Sequence, residues 1–324
     1  MRPRLLPDTH LLPSDQGVVI RGPHHTAAIP MPGIYPWLER IRPFLDGSRG
    51  LDELVADLPP QAAKHVRTLV ELLAREGFVR DAEGDLPHRL SPEIRARHSA
   101  LIDFIALQAD SPEHRFELYR NCAPIVVGSG QMVSAVVLAL LASGVEHVRL
   151  SVAEAGEPAL NRTDLARLDE CVALLRSEGG AFEYEAVQGE PRTLPSDAGV
   201  AVLASDEFDP ELTARVHALA TRSGLVHGQV VASGRWAVIN TPSPDDDPSY
   251  PVLPNDDVLE AEGLEPGGRY LGGPTAALAA NQLCLQLLCR VARLNERTGG
   301  DGTPAVSEAV LDLATAAFLT ARTT

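Results

Sequence analysis

Lysine is almost missing from this chain: Lys64 stands alone, and every other basic residue is arginine, a bias of composition rather than of chemistry. Cysteine is scarce too. Cys122, Cys171, Cys284 and Cys289 form no C-x-x-C pair, so the sequence signals neither a structural zinc site nor a redox couple and leaves buried, reduced thiols as the reading. The longest apolar stretch, at 133–141, is too short to cross a bilayer, and the opening MRPRLLPDTH has no apolar core of a secretory signal, which predicts a cytoplasmic protein with no membrane partner. No G-x-S-x-G elbow follows a strand, and the histidines fall in no H-x-x-x-H pattern. His24 and His25 are adjacent on an extended segment, so their side chains face opposite sides and suit a turn and strand start better than a metal pair. No metal is therefore expected, and no internal repeat is present.

What the chain does have is acid, unevenly placed. Residues 1–82 carry 10 basic and 10 acidic side chains, so the whole net charge of −16 lies beyond them. An acidic body repels phosphate backbones, which argues against a nucleic-acid partner for that larger part. With 324 residues, 44% of them apolar, the chain is long enough for two domains with a sizeable core.

The most regular stretch is 123–152, APIVVGSGQMVSAVVLALLASGVEHVRLSV. A β-branched run, a break at Gly128-Ser129-Gly130, a run of helix formers ending at Ser143-Gly144, and a second extended run read as strand, turn, helix, strand. Such a unit sets backbone N–H groups at a helix start, where a phosphate could sit. The glycine pattern is incomplete, because Val133 holds the third position, where a small residue lets helix and strand pack closely. About twenty residues on, only Glu154 could hold a ribose. Gly128, Gly130, Arg162 and Asp206 are the candidate nucleotide residues, with Arg162 for a phosphate and Asp206 for a metal. Exposed charge is the plainer reading of the last two. Cys122, just before a buried strand, reads as core rather than as a nucleophile.

Before this stretch lie three extended pieces at 5–12, 17–21 and 25–31, then helices at 35–45, 51–58 and 60–76, the last with the apolar stripe Ala62, Val66, Leu69 and Leu73. Three strands followed by three helices predict a small winged-helix-like domain over 1–82. So short a sheet leaves an open edge at 25–31, where an extended peptide could add as a further strand beside the helix at 60–76. The polar stretch 83–98, broken by Gly84, Pro87 and Pro92, reads as a linker. Beyond it, over 99–324, strands and helices alternate in the manner of a largely parallel, doubly wound sheet: a helix at 163–177, an extended piece at 181–187, a strand at 200–204, a helix at 210–223, and a strand pair at 225–231 and 236–239. Residues 240–268, with Asp245, Asp246 and Asp247, read as a surface loop, and helices are expected at 275–294 and 306–321. The fold class is thus α/β, a winged-helix-like domain followed by a Rossmann-type domain.

Two sets of residues carry a family resemblance. YPWLERIRPFLDGSRGLDELVADL and VRTLVELLAREGFVRD resemble the PqqD-like recognition domain of enzymes that mature ribosomally made peptides. RFELYRNCAPIVVGSG, ALNRTDLARL, VAVLASD and PTAALAANQLCLQLL resemble the ThiF-like adenylating fold. Fused in this way, the chain is similar to the ThiF-like partner proteins of azoline-forming cyclodehydratases in thiazole/oxazole-modified peptide and thiopeptide biosynthesis. The resemblance implies a protein that binds the leader of a precursor peptide and presents its core to a separate YcaO enzyme. It places the leader on His25, Ala27, Ile29 and Met31 of the third strand and on Lys64, Arg67, Val70 and Ala74 of the third helix. The acidic second domain would hold the YcaO partner and could pair with a second copy of the chain. Leu283 and Leu287 belong either to such an interface or to the core.

Departures from the adenylating pattern imply no cofactor and no catalytic residue. The third glycine is Val133, the ribose carboxylate falls on Ser151 or Ala153, and Asn-Leu-x-Arg-Gln survives only as Leu160-Asn161-Arg162-Thr163. The catalytic lysine that follows that segment has no counterpart, because this half contains none. The alternative reading is an enzyme that still adenylates a peptide or carrier-protein carboxylate with ATP.

Overall fold

The computed structural model describes residues 1–152, 163–177, 183–188, 193–243, 270–294 and 308–320. Its contacts divide the chain into two compact units, Met1–Glu117 and Leu118–Thr324.

In the first unit the extended piece expected at 5–12 is two strands. β1, Pro3–Leu5, and β2, His10–Ser14, are separated at Pro7-Asp8, where Asp8 takes a positive φ. β3, Gly17–Arg21, and β4, Thr26–Ile29, join β2 in a three-stranded antiparallel sheet of order β2-β3-β4. Three helices cover it: α1, Tyr35–Ile41, α2, Leu51–Val55, and α3, Pro60–Arg75. Pro60 opens α3, where the missing N–H would have had no partner in any case. The stripe Val66, Leu69, Val70 and Leu73 then buries against Ile20, Ile29, Leu38 and Phe78. β5, Val79–Asp81, follows and pairs with β1, so the unit has two sheets where the sequence suggested one.

The segment 83–98, expected as a linker, falls within the first unit. Asp85 takes a bidentate pair from Arg80 at 2.7 and 2.6 Å and accepts the Ser111 amide at 2.9 Å. Arg4 holds Glu113 in a second bidentate pair at 2.8 and 2.6 Å. Charged residues that composition marks as solvated are thus each other's partners, and partly buried bidentate pairs are the strong kind. α4, Pro92–Arg97, with Ser91 capping its first turn, and α5, Ser99–Ala106, belong to the first unit, and the division falls inside α6, Pro112–Arg120.

The second unit is built on one eight-stranded sheet of order β13-β12-β11-β10-β9-β6-β7-β8. β6, Ile125–Ser129, is the third strand from its β8 edge. From there the chain runs through α7, Gln131–Ala142, to β7, His147–Val152, and through α8, Leu165–Ser177, to β8, Glu183–Gln188. It then returns to the other side of β6 with β9, Val200–Ser205, and α9, Pro210–Arg222, leads to β10, Val226–Ser233. These five strands are parallel, as the alternation of elements predicts, and their order reverses between β6 and β9. In an open α/β sheet a ligand crevice forms outside the strand ends at such a reversal.

β11, Trp236–Asn240, turns back antiparallel, and α10, Gly273–Val291, packs on α7 and β10. The helix expected at 306–321 is instead a hairpin of β12, Glu308–Asp312, and β13, Ala317–Thr320. Its alanines favour a helix locally. Pairing with β11 overrides them, because Val238, Val310 and Leu319 then share one face and Asp312 binds Arg235. Leu283 and Leu287 of α10 are core: both pack over Gly228 on β10, whose missing side chain leaves them room, and neither is offered to an interface.

Candidate functional site

The residues singled out in the sequence fall in two places, one in each unit. In the first unit β4 pairs with β3 from Val18↔Ile29 to Arg21↔Thr26, and among the described residues no strand pairs its other side. His25, just before the strand, is exposed and stacks on Phe78 at 4.5 Å, while Ala27 is half-buried. Ile29 is core, so its side chain is not available to a peptide, whereas Met31 is 38% exposed.

On α3 the expected contacts divide. Lys64 is exposed and Ala74 half-buried, but Val70 is 0% exposed and belongs to the core, and Arg67 binds Asp52 of α2 at 2.6 Å. The reason is helical phase. Lys64, Arg67, Val70 and Ala74 run from the solvent side round to the face toward α2. A different α3 residue, His65, meets Trp37 of α1 edge-on at 5.1 Å. Trp37 is 36% exposed, although the sequence spaces it with Leu38, Ile41, Phe44 and Leu45 as one apolar stripe. Its place at the first turn of α1, directly after Pro36, is the signal that could have marked it as surface.

In the second unit the glycine turn sits at the strand-order reversal. Gly128 has φ +145°, and a Cβ there would stand 1.8 Å from the carbonyl oxygen of Ala204 on β9, so β6 and β9 can approach only because it is glycine. Gly130 has φ +91°, and its N–H donates to Thr163 Oγ1 at 2.9 Å. The first two amides of α7 are also taken. Gln131 N–H donates to Asp206 Oδ2 at 2.7 Å and Met132 N–H to Asp206 Oδ1 at 2.8 Å. Asp206 is 8% exposed; burial pushes its carboxyl above the usual carboxylate range, against the two amides that hold it down. It caps the start of α7, where the sequence suggested a metal ligand or exposed charge. Val133 is fully buried at the third glycine position.

Beside the turn opens a cavity of about 790 Å³, lined by Gly130, Gln131, Ser134, Arg167, Asp206 and Asn281 among others, from α7, α8 and the start of α10. Arg162, Glu154 and the acidic run Asp245, Asp246 and Asp247 lie outside the described residues. Among those described, no group of three or more His, Cys, Asp or Glu could hold a metal ion, and no helix is long and apolar enough to cross a membrane. Burial raises the Cys122 thiol to about 12, which leaves it protonated and no nucleophile at neutral pH.

No protein-family model matches the chain, and no curated protein matches it in sequence. The fold is that of the ThiF/MoeB-like proteins, Rossmann-type domains. Among solved structures, E. coli MccB with ATP is 13% identical at a TM-score of 0.58, covering 99% of this chain and 96% of that one. The microcin C7 biosynthetic enzyme MccB in complex with N-formylated MccA is 11% identical at 0.59, covering 99% and 96%. PaaA is 15% identical at 0.60, covering 96% and 97%. The amides at the start of α7, which could meet a phosphate, are bonded within the chain to Thr163 and Asp206.

One buried polar pair lies away from both sites. His217 of α9 and His227 of β10 face each other with Nδ1 to Nδ1 at 3.0 Å, and among the described residues His227 Nε2 has no partner. Burial, and then the neighbouring imidazole, lower His227 to about 3. The unfolded chain takes up this proton near its ordinary pKa of about 6.5 and the folded chain does not, so stability is full above that value and falls as the pH drops toward 3. At pH 5 the loss should be about 2 kcal/mol, because each step of one in pH below the ordinary value costs about 1.4 kcal/mol until the folded chain takes up the proton as well. Urea unfolding at pH 7 and pH 5 measures it, and His227→Leu should remove that part of the difference.

Proposed function

We propose that the first unit binds the leader of a ribosomally synthesised precursor peptide as a strand added to β4. The second unit then serves as a non-catalytic ThiF-like scaffold that helps present the peptide core to a separate YcaO cyclodehydratase for thiazoline or oxazoline formation. The observation that carries this reading is the unpaired edge of β4, with Met31 exposed beyond its end and an exposed Trp37 at the start of the next helix. Backbone pairing along the edge would supply affinity, and the side chains around it would supply selectivity. Similarity over nearly the whole chain to MccB in complex with N-formylated MccA supports the binding part of this reading, since that neighbour has this fold and holds a second molecule.

The rival reading is ATP-dependent adenylation of a peptide or carrier-protein carboxylate, and the shared fold with ATP-bound MccB favours it. Against it stand the absence of any lysine in the second unit and the bonded amides at the start of α7. Isothermal titration of the full chain separates the two. Leader binding at micromolar affinity or better, with no heat from MgATP, is the expected result. MgATP binding without leader binding would sink the scaffold reading.

A further inference from the structure

Resting on the leader-binding reading, we infer that the open edge of β4 takes a segment of about five residues through the backbone of Thr26 and Ala28, in a register fixed by Pro30. The phase of the ladder decides which groups face outward. Gly22 N–H donates to His25 O at 2.9 Å, so these two residues are a hydrogen-bonded pair of the hairpin. In an antiparallel ladder such pairs alternate with pairs that exchange no bonds. Along the register from that pair, Ile20↔Ala27 and Val18↔Ile29 are bonded, whereas Arg21↔Thr26 and Val19↔Ala28 are not. The N–H and C=O groups of Thr26 and Ala28 therefore point away from β3, to the side where no described strand lies.

Both ends of this edge are closed. At one end the hairpin turns back through Pro23 and His24. At the other, the next outward residue is Pro30, which has no N–H, and the Met31 amide folds back onto Ile29 O at 2.9 Å. A peptide thus finds the N–H and C=O of two residues in one register, with no third donor to slide to. Between these ends the edge carries no guard. Thr26 and Ala28 are small, uncharged and exposed, whereas an edge left free in solution is commonly protected by lysine or another charge. That argues for a strand as its occupant.

The same alternation sets the chemistry of the segment. Residues paired with Thr26 and Ala28 need their own N–H, which excludes proline at both positions. The residue between them stands across from Ala27 and shares its face of the sheet. Ala27 is half-buried and packs on the core that holds Ile29, so an apolar side chain at that central position would cover it. The segment is therefore extended, apolar at its centre and free of proline on either side of it.

Hydrogen exchange of the isotopically labelled full chain, followed by NMR, tests this without and with the leader peptide of the calorimetric titration. In the free chain the Thr26 and Ala28 amides should exchange about tenfold faster, or more, than those of Ala27 and Ile29. The leader should slow Thr26 and Ala28 by about tenfold or more and leave the other two unchanged. Ala28→Pro removes an outward donor without touching the pairing to β3, and the extended Ala27 before it tolerates proline. This variant should keep its circular dichroism and lose about tenfold or more in leader affinity. If it does not fold, the exchange rates of the wild type decide alone. Thr26 and Ala28 amides already protected in the free chain would mean that a second copy or another part of the chain holds the edge, and would overturn the inference. Leader binding that leaves both amides unprotected overturns the register but not leader binding itself, while a wild type that binds no leader sinks both.

Discussion

Replacing Gly128 with alanine should cost the second unit about 4 kcal/mol or more of stability, a large share of the ~5–15 kcal/mol by which a domain is stable. The new methyl group would lie 1.8 Å from the Ala204 carbonyl oxygen and 2.8 Å from its carbon, both backbone atoms in the neighbouring strand, so no side-chain rotation relieves the clash. Moving β6 away from β9 would break the pairing from Ile125↔Ala201 to Ser129↔Ser205 inside the sheet. The φ of +145° adds strain for any L side chain. Urea unfolding followed by a probe in the second unit should show a large fall in midpoint or no folded baseline at all. An unchanged midpoint would mean that the two strands are not this close.

A leader peptide methylated on alternate backbone nitrogens should lose about 100-fold in affinity in one register and less than about tenfold in the other. An added strand points every second N–H at the edge of β4 and the rest away from it. Each lost pairing bond is worth about 0.5 to 1.5 kcal/mol, so two or three of them amount to about 100-fold. The methyl groups also press on the strand, which sharpens the contrast. Equal losses in both registers would exclude strand addition and shift attention to the side-chain surface around Trp37 and His65.

Much of this architecture was legible from periodicity and turn chemistry. The βαβ unit at 123–152 declares itself because a buried strand, a double glycine and a run of helix formers each permit little else. The hairpin of β12 and β13 was not legible. Alanine-rich segments take helix or strand according to their neighbours, and the pairing partner β11 lies far back in the chain. The status of 83–98 was hidden for a related reason: Asp85, Arg80, Arg4 and Glu113 look like solvated charge until they are seen paired. At the sites, the glycines were found and the side chain bonded beside them was not. That Asp206 reaches back to α7 depends on β9 lying beside β6, a fact of topology that no local pattern contains. Trp37 was missed because apolar spacing cannot tell a residue facing the core from one at the rim of the same stripe.

The strand order also sets how the two halves acquire their structure. β2, β3 and β4 are joined in sequence by short turns, so the sheet that carries the proposed docking edge closes through local contacts alone. β6 gains its β9 neighbour only after two full strand-and-helix excursions, and distant pairing of this kind makes chains fold slowly. During synthesis from the N-terminus, the docking edge should therefore form while β6 still exposes one unpaired side, and that interval is when the protein is most prone to aggregate.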